Sequence, residues 1–446
     1  MRVLVAVLLN AALLALLLPW LRRQWQWAGS GGWRVVLVAS LALRVGVGVA
    51  RNWHPKADAA FMSFVGRIVT AQLWQHPAGA WSILTRAVTV LPKGRASYEF
   101  VYQNTSNTWI LMKILGVLNL ATFSSDALNA FYLSLFAFVG CWQLVRKLAD
   151  IFPDTPAAAG VVAFLLWPSV WFWATGISKE AVLLGSGAWL TAQVVGYSYG
   201  PATDRPLSVR AQVGWWLGTV ALAGLHFGMR YFFAVPLLGV LGGVALGQQL
   251  RHFGWGRHRW AQIGALAAVI GAGLWLAPQM SKAFSLNKFT NQVVTVYAFE
   301  VAHSVGRPHF EYPHLRPTLV SMAAHAPLAV ANALTRPWLG ESGQPLYVAA
   351  GLENALLLVL LALAAWASIR GRAGQLPFGL GLGLVFFCVT LAFLIGLTTP
   401  NLGSLNRYRS DLLPFLLLLL LQNDYAAAGL HRLKLDRSPA GRAGPG

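Results

Sequence analysis

The chain has 446 residues, of which 57% are hydrophobic and 11% are charged, and it contains 20 tryptophans. Soluble domains carry about 25% charged residues, so this composition excludes an ordinary soluble protein. The formal charge is +20. It does not indicate nucleic-acid binding here, because the positive residues flank apolar runs, as membrane topology requires. An anionic lipid or a phosphate-bearing ligand is the second interpretation of this charge.

Apolar runs of about 20 residues recur along the whole chain, which predicts an all-α, polytopic transmembrane helix bundle. The first run, VLVAVLLNAALLALLLPWL, resembles the core of a signal peptide. It lacks a basic start beyond Arg2 and a small-residue cleavage site, so we interpret it as a span. Cys141 and Cys388 both fall inside apolar runs, which favours packed thiols over a disulfide.

Eleven spans are predicted in a single integral membrane domain, 1–446. They are 3–20, 34–50, 127–145, 156–174, 180–197, 213–228, 230–249, 260–277, 346–369, 376–397 and 408–421. Short basic connections recur between them, for example at Arg370 and Arg372. If these connections face the cytoplasm, the amino terminus lies outside and the carboxyl terminus inside. The last residues, 430–446, are predicted to form a disordered cytoplasmic tail.

This topology leaves two long segments on the outer side, 51–126 and 278–345. The stretch ADAAFMSFVGRIVTAQLWQ in the first segment reads as an amphipathic helix that rests on the interface. Residues 107–123 are predicted to be a helix lying in the membrane surface, because Lys113 interrupts their apolar run.

Ionisable residues gather on the predicted outer face and are expected to line one cavity. Charged groups at membrane depth cost roughly 2.5–3.5 kcal/mol each, so they are rarely idle. The candidate catalytic residues are Asp58 and Glu180. The candidates for binding a phosphate or lipid carrier are Lys179, Arg230, Arg336, Arg407 and Arg409. The candidates for substrate binding are His226, Tyr231, Glu341 and Tyr408.

Several of these residues also have a purely structural interpretation. Ser178 followed by Glu180 is ordinary helix-start chemistry, although Lys179 is less favourable there. Arg230 is able to hold spans together by pairing with Glu180 or Asp58. Two arginines on either side of one tyrosine point in different directions on a helix, so one of Arg407 and Arg409 is expected to be structural.

A metal site is not predicted. His303, His309, His314 and His325 are interleaved with prolines, and their spacing matches no zinc pattern. No cofactor is indicated with certainty, and a divalent cation is left open because no motif supports it.

Guanidinium groups and a lysine that face outward suit a phosphate or pyrophosphate. A nearby carboxylate suits removal of a proton from a sugar hydroxyl. The aromatic run at Trp167, Trp171, Phe172 and Trp173 suits a lipid chain or a sugar face. Each of these rings also fits an ordinary aromatic belt at the membrane interface.

Three stretches carry a resemblance to known proteins: WPSVWFWATGISKEAVLL, TRPWLGESGQPLYVAAGLENALL and NLGSLNRYRSDLLP. They resemble bacterial multi-span proteins of cell-surface polysaccharide assembly, namely the GT-C superfamily of lipid-linked-sugar glycosyltransferases and the related O-antigen polymerases and ligases. The resemblance implies a GT-C-like fold in the bacterial inner membrane, with an active site that faces the periplasm. It implies transfer of a sugar from a polyprenyl-phosphate or polyprenyl-pyrophosphate carrier to a glycan acceptor.

In GT-C enzymes the candidate base is an acidic residue of the first outer loop, and Asp58 matches that place. The family often has an acidic pair there, whereas Asp58 is followed by Ala59 and Ala60, which speaks against a metal-dependent mechanism. Polymerases and ligases rely on outward arginines instead, and Arg230, Arg336, Arg407 and Arg409 fit that scheme.

Two alternatives from other classes remain. If the chain were a flippase of lipid-linked sugars, we would expect polar residues at the bilayer midplane and two related halves. The midspan stretch LLPFLLLLLLQ contains no charged residue, which does not favour this class. A non-catalytic subunit of a polysaccharide-assembly complex is the other. The expected partners are the polyprenyl-linked sugar, the glycan acceptor and the bilayer, without nucleic acid, and the oligomeric state is left open.

Overall fold

The computed structural model describes residues 1–29, 31–55, 57–85, 88–93, 96–101, 107–201, 208–255, 258–280, 284–433 and 435. Of the predicted tail 430–446, the structure describes only residues 430–433 and 435. The described residues are mainly helical, which confirms the all-α class.

The helices of the first half are α1 Arg2–Ala28, α2 Gly31–Asn52, α3 Ala57–Gln75, α4 Ala80–Thr85, α5 Asn107–Thr122, α6 Asp126–Ile151, α7 Ala157–Val161, α8 Pro168–Trp173, α9 Lys179–Tyr199 and α10 Val209–Met229. Those of the second half are α11 Tyr231–His252, α12 Arg259–Met280, α13 Leu286–Ala302, α14 Leu319–Thr335, α15 Pro345–Ile369, α16 Phe378–Thr398, α17 Leu402–Tyr408, α18 Leu413–Leu421 and α19 Asp424–Leu430. Short 3-10 turns lie at Pro77–Gly79, Arg409–Asp411 and His431–Leu433.

One β-hairpin is the exception to the helical fold. Strands β1 (Val88–Lys93) and β2 (Ala96–Val101) pair antiparallel, with Val88 opposite Val101. The hairpin lies within residues 51–126, the segment predicted to be the first on the outer side, where only interfacial helices and loops were expected.

Seven helices of the described part are long and apolar enough to cross a membrane: α1, α2, α6, α11, α12, α15 and α16. An eighth crossing results if α18 and the helix that follows it, which meet at a bend of 94°, count as one. The chain therefore has the helices of a polytopic membrane protein. In α1, α12 and α15 most apolar side chains are exposed, which suits contact with lipid tails.

Two predicted spans are not continuous helices. Residues 156–174 break into α7, a π-helical turn at Val162–Leu166, and α8, with Trp167 extended between them. Pro168 causes this break, since a proline disfavours the helical conformation of the residue before it. Residues 408–421 consist of the end of α17, a 3-10 turn and α18. With nine residues, α18 is about 13 Å long, too short to cross a bilayer alone.

The chain forms two compact units. The first unit comprises residues 1–141, 171–187 and 221–231, and the second comprises 142–170, 188–220 and 232–446.

The first unit is built around the packing of α3 on α5. A Cβ at Gly66 would lie 2.9 Å from the Cβ of Leu115, so the two helices touch at this glycine. Thr70 Oγ1 donates to the carbonyl of Gly116 (3.0 Å) and accepts from Asn119 Nδ2 (3.0 Å). Residues 107–123, which were predicted to be a surface helix, therefore contain a helix as expected, namely α5. One face of α5 belongs to the core of this unit.

The second unit is centred on α18, whose leucines are almost wholly buried. The ring of Phe415 makes edge contacts with Phe164 (5.2 Å) and Phe387 (5.1 Å). Burial raises the pKa of Tyr312 to about 12. The phenol therefore stays protonated and donates to the carbonyl of Gly396 (2.9 Å), which connects the segment before α14 to α16.

The close approach of α14 and α16 gives a first prediction. A Cβ at Gly396 would lie 2.0 Å from the carbonyl oxygen of Ala329, whereas one at Gly381 on the same helix meets nothing within 4 Å. We expect Gly396→Ala to lower the thermal midpoint of the full chain in detergent, because two backbones have to separate. Gly381→Ala should leave the midpoint unchanged or raise it, since alanine favours helix by about 1 kcal/mol. Equal midpoints for both variants would contradict this packing.

Candidate functional site

The first unit contains an unwound segment, 174–178, between α8 and α9. Arg44 of α2, which is 0% exposed, donates to the carbonyl of Ala174 (3.4 Å). Arg51 donates to the carbonyl of Phe172, and its guanidinium lies 4.4 Å from the centre of that ring. Backbone groups outside a helix need partners at membrane depth, and α2 supplies them here as arginines.

Gly176 is the tightest point of this segment. Its amide donates to Ser134 Oγ (2.8 Å) on α6, and its φ is +67°. A Cβ here would lie 1.9 Å from Asn52 Nδ2 and 3.0 Å from the carbonyl of Gly48. Only glycine fits this conformation and this space. The segment is thus held from α2 and α6.

Helix α9 begins immediately after the unwound segment. Ser178 Oγ accepts from the amide of Ala181 (3.1 Å), which confirms the predicted N-cap. Lys179, the first helical residue, is half-buried, and its Nζ donates to Thr108 Oγ1 (2.8 Å) at the start of α5. A cation is therefore fixed at a helix N-terminus, where the helix dipole already favours an anion.

Glu180 and Arg230 form a buried ion pair. Arg230 Nη2 donates to Glu180 Oε1 (3.1 Å), and the two side chains are 9% and 3% exposed, respectively. Arg230 lies in the short turn between α10 and α11. Of the two predicted partners for Arg230, the structure shows Glu180. Burying two charges is costly unless they are paired, so each of them requires the other.

The remaining predicted residues of the first unit lie as follows. His226 is 5% exposed, and its Nδ1 lies 2.9 Å from Ser186 Oγ. Tyr231 is half-buried and packs on Phe227, with 6.2 Å between ring centres. Asp58 is exposed in the first turn of α3. His226 thus lies within the protein, whereas the carboxylate of Asp58 is open to solvent.

In the second unit, Arg336 and Glu341 close a turn between α14 and α15. Arg336 Nη1 and Glu341 Oε1 are 3.0 Å apart, and Glu341 Oε2 accepts from the amide of Trp338 (2.9 Å). The guanidinium of Arg336 also lies 4.7 Å from the ring centre of Trp338. This turn presents a half-buried cation between aromatic rings and a carboxylate.

Arg407 and Arg409 have different surroundings, as the sequence predicted. Arg409 is 2% exposed and donates to Asn354 Oδ1 (2.7 Å) and to the carbonyl of Arg336. Arg407 is half-buried, with Nη2 3.2 Å from the hydroxyl of Tyr408. Arg409 therefore stabilises the connection between α14 and α15, and Arg407 is the arginine of this pair with access to solvent.

Glu353 and Arg44 are polar residues that the sequence analysis did not select. Glu353 accepts hydrogen bonds from Trp167 Nε1 and from the amide (2.9 Å) and hydroxyl of Ser169. It thus binds the break before α8. A charge inside an apolar run, as in GLENALLL or SLALRVGV, was the signal available for both residues.

The histidines do not assemble a metal centre. Within the described ranges, no group of three or more His, Cys, Asp or Glu residues is placed to hold a metal ion. His303 stacks on Phe299, with 3.9 Å between ring centres, and His309 Nε2 lies 3.2 Å from Glu311.

Comparison of the chain with protein-family profiles, curated proteins and solved structures finds no match in any of the three.

The ion pair gives the second prediction. We expect Arg230→Gln to lower the free energy of unfolding by about 3–5 kcal/mol, because Glu180 is left buried and charged. Adding Glu180→Gln should restore a large part of that loss. The control is Arg67→Gln, which removes the ion pair of Arg67, 46% exposed, with Asp126 and should cost at most about 1 kcal/mol. Denaturation of the full chain in one detergent measures the wild type and the three variants, and a double variant that is no more stable than Arg230→Gln would contradict the pairing.

Glu353 gives the third prediction. Hydrogen bonds to a charged group contribute about 1.5–3 kcal/mol, so we expect Glu353→Gln to lower the free energy of unfolding by at least that amount. Glu311→Gln is the control, because the side chain of Glu311 is 63% exposed. The same detergent denaturation measures both variants, and equal stabilities would show that Glu353 does not hold the break.

Proposed function

We propose that the chain is a membrane glycosyltransferase or polysaccharide polymerase that takes a sugar from a polyprenyl-phosphate or polyprenyl-pyrophosphate carrier. The arrangement at the start of α9 supports this proposal. Lys179 and the buried Glu180–Arg230 pair lie together at the N-terminal end of a 21-residue helix. A helix N-terminus with the half-buried ammonium of Lys179 suits the phosphate of a carrier lipid, and the buried ion pair keeps this helix start in place.

In this proposal the phosphate is the leaving group of the reaction. The ammonium of Lys179 stabilises the negative charge that develops on the phosphate, because this positive charge is in place before the bond between sugar and phosphate breaks. Glu180 holds Arg230 in position. Asp58, the exposed carboxylate, takes the proton of the attacking sugar hydroxyl.

The second unit contributes by its own chemistry. The half-buried arginines Arg336 and Arg407, with Trp338 and Tyr408, offer cations beside aromatic rings. Such surfaces suit anionic or glycan groups. We propose that Arg336 and Arg407 bind such a group within the second unit, and that Arg409 only positions Arg336.

We propose eleven membrane crossings. Besides the seven apolar helices, they use α9, α10, the broken segment of α7 and α8, and α18 with α19. With the basic connections in the cytoplasm, Lys179 and Asp58 face the periplasm from the inner membrane of a bacterium. The GT-C-like architecture that the three sequence motifs suggest belongs to the same proposal.

The fourth prediction tests this function. The purified full chain, reconstituted in vesicles, is given undecaprenyl-phosphate- and undecaprenyl-pyrophosphate-linked sugars together with glycan acceptors, and release of the free carrier is followed by chromatography. We expect release by the wild type, and a loss of about 100-fold or more in Lys179→Ala, as for removal of one charge-stabilising group. Lys288→Ala, which removes an exposed lysine of α13, is the matched control.

Three outcomes would contradict this function. One is full activity in Lys179→Ala, and the second is a folded wild type that releases no carrier from any donor. The third is transfer of intact lipid-linked sugar across the vesicle without cleavage, which would identify a flippase instead.

A further inference from the structure

A second feature, independent of the proposed reaction, lies at the connection between α11 and α12, and we call its described residues, 251–255 and 258–260, the α11–α12 turn. Two backbone hydrogen bonds form a tight turn at the end of α11. The amide of Gly254 donates to the carbonyl of Arg251 (3.0 Å), and that of Trp255 donates to Leu250 (3.0 Å). Gly254 has a φ of +85°. This is a Schellman ending of α11, so the side chains that follow leave the helix in a fixed direction.

The turn exposes three large aromatic side chains. Phe253, Trp255 and Trp260 are 78%, 77% and 81% exposed, respectively. Trp255 follows a Schellman glycine, where an apolar side chain usually packs back on its own helix. Here it points away from the protein, so its apolar surface requires another partner.

The same turn is strongly basic. Arg251, His258 and Arg259 are exposed, and the guanidinium of Arg259 lies 5.2 Å from the ring centre of Phe378 at the start of α16. No acidic residue occurs in the sequence between Asp204 and Glu300. The segment that contains α11, the turn and α12 therefore carries only positive formal charge, which favours an anion beside the turn.

The helices on either side of the turn fix its surroundings. Both α11 and α12 are long and apolar enough to cross a membrane, and at 22 residues each they are about 33 Å long. Their connection consequently lies at a membrane surface. Aromatic rings are favoured at this depth, and basic side chains beside them meet lipid phosphates.

We propose that the α11–α12 turn is an anchor for anionic phospholipids. Phe253, Trp255 and Trp260 insert at the level of the head groups, and Arg251 and Arg259 bind the phosphates beside them. The partner is the bilayer surface itself.

Depth measurement tests the insertion. The two native cysteines are buried, so a nitroxide label reacts selectively at Trp255→Cys, with Phe253 and Trp260 retained. The full chain is reconstituted in phosphatidylcholine alone or in an equimolar mixture with phosphatidylglycerol. We expect the label to collide with oxygen in preference to a water-soluble nickel chelate, and more so in the mixture. The matched control, Arg307→Cys in an exposed loop position, should favour the chelate in both.

Charge removal tests the selectivity for anionic lipid. Each basic residue near an anionic surface contributes about fivefold in affinity, so Arg251→Gln with Arg259→Gln should raise the phosphatidylglycerol concentration at half-occupancy about thirtyfold. Native mass spectrometry in detergent measures this occupancy. Arg307→Gln with Arg316→Gln removes two exposed arginines elsewhere and should have no effect. Equal affinities in the two double variants, or a label at 255 that favours the nickel chelate in both bilayers, would overturn the proposal.

Discussion

The first unit depends on the hydrogen bonds that satisfy the unwound backbone before α9. Residues 174–177 are buried, and a buried backbone group without a hydrogen-bond partner is costly, so a break in a helix there needs partners from elsewhere. Arg44 and Arg51 of α2 provide donors for two carbonyls, and Ser134 of α6 accepts from the amide of Gly176. Because the break is fixed, the first residues of α9 are fixed as well. The position of Lys179 is thus decided by residues of other helices.

Burial divides the charged residues of both units into two groups. Arg230 and Arg409 are buried and donate to protein acceptors. A buried charge without its partner is strongly destabilising, so these residues maintain the structure even where they lie near a site. The half-buried cations, such as Lys179 and Arg407, keep a face toward solvent. Recognition of an anion is expected from this second group, within the geometry that the first group maintains.

The sequence predicted helices well where an apolar run ends in charged or turn-forming residues. The run predicted at 346–369 is α15, Pro345–Ile369, and the run at 376–397 is α16, Phe378–Thr398. The sequence-based prediction failed at 156–174, because apolar composition continues across the break at Trp167. It also failed at 408–421, where the polar residues Arg409–Asp411 form a 3-10 turn before α18 begins. Composition records how apolar a stretch is, whereas continuity of a helix depends on the local backbone.

The site was predictable only in part. The cations and the helix start at Ser178 follow from residue types and local spacing. Residue types and local spacing do not show which charged residues pair, because the pairing joins residues far apart in the chain. Glu180 and Arg230 are 50 positions apart, and Glu353 lies 186 positions from Trp167. The sequence offered two partners for Arg230, and it gave no reason to connect Glu353 with the tryptophan-rich motif.

Arg44 also has a consequence for how the protein is made. Helix α2 carries this arginine into the bilayer at a cost of roughly 2.5–3.5 kcal/mol, yet the carbonyl that accepts from it belongs to Ala174, 130 positions later. Ribosomes add about 5–20 residues per second, so on the order of ten seconds pass between the synthesis of Arg44 and that of Ala174. The hydrogen bond that links α2 to the unwound segment therefore forms only after α6 and α8 have been made.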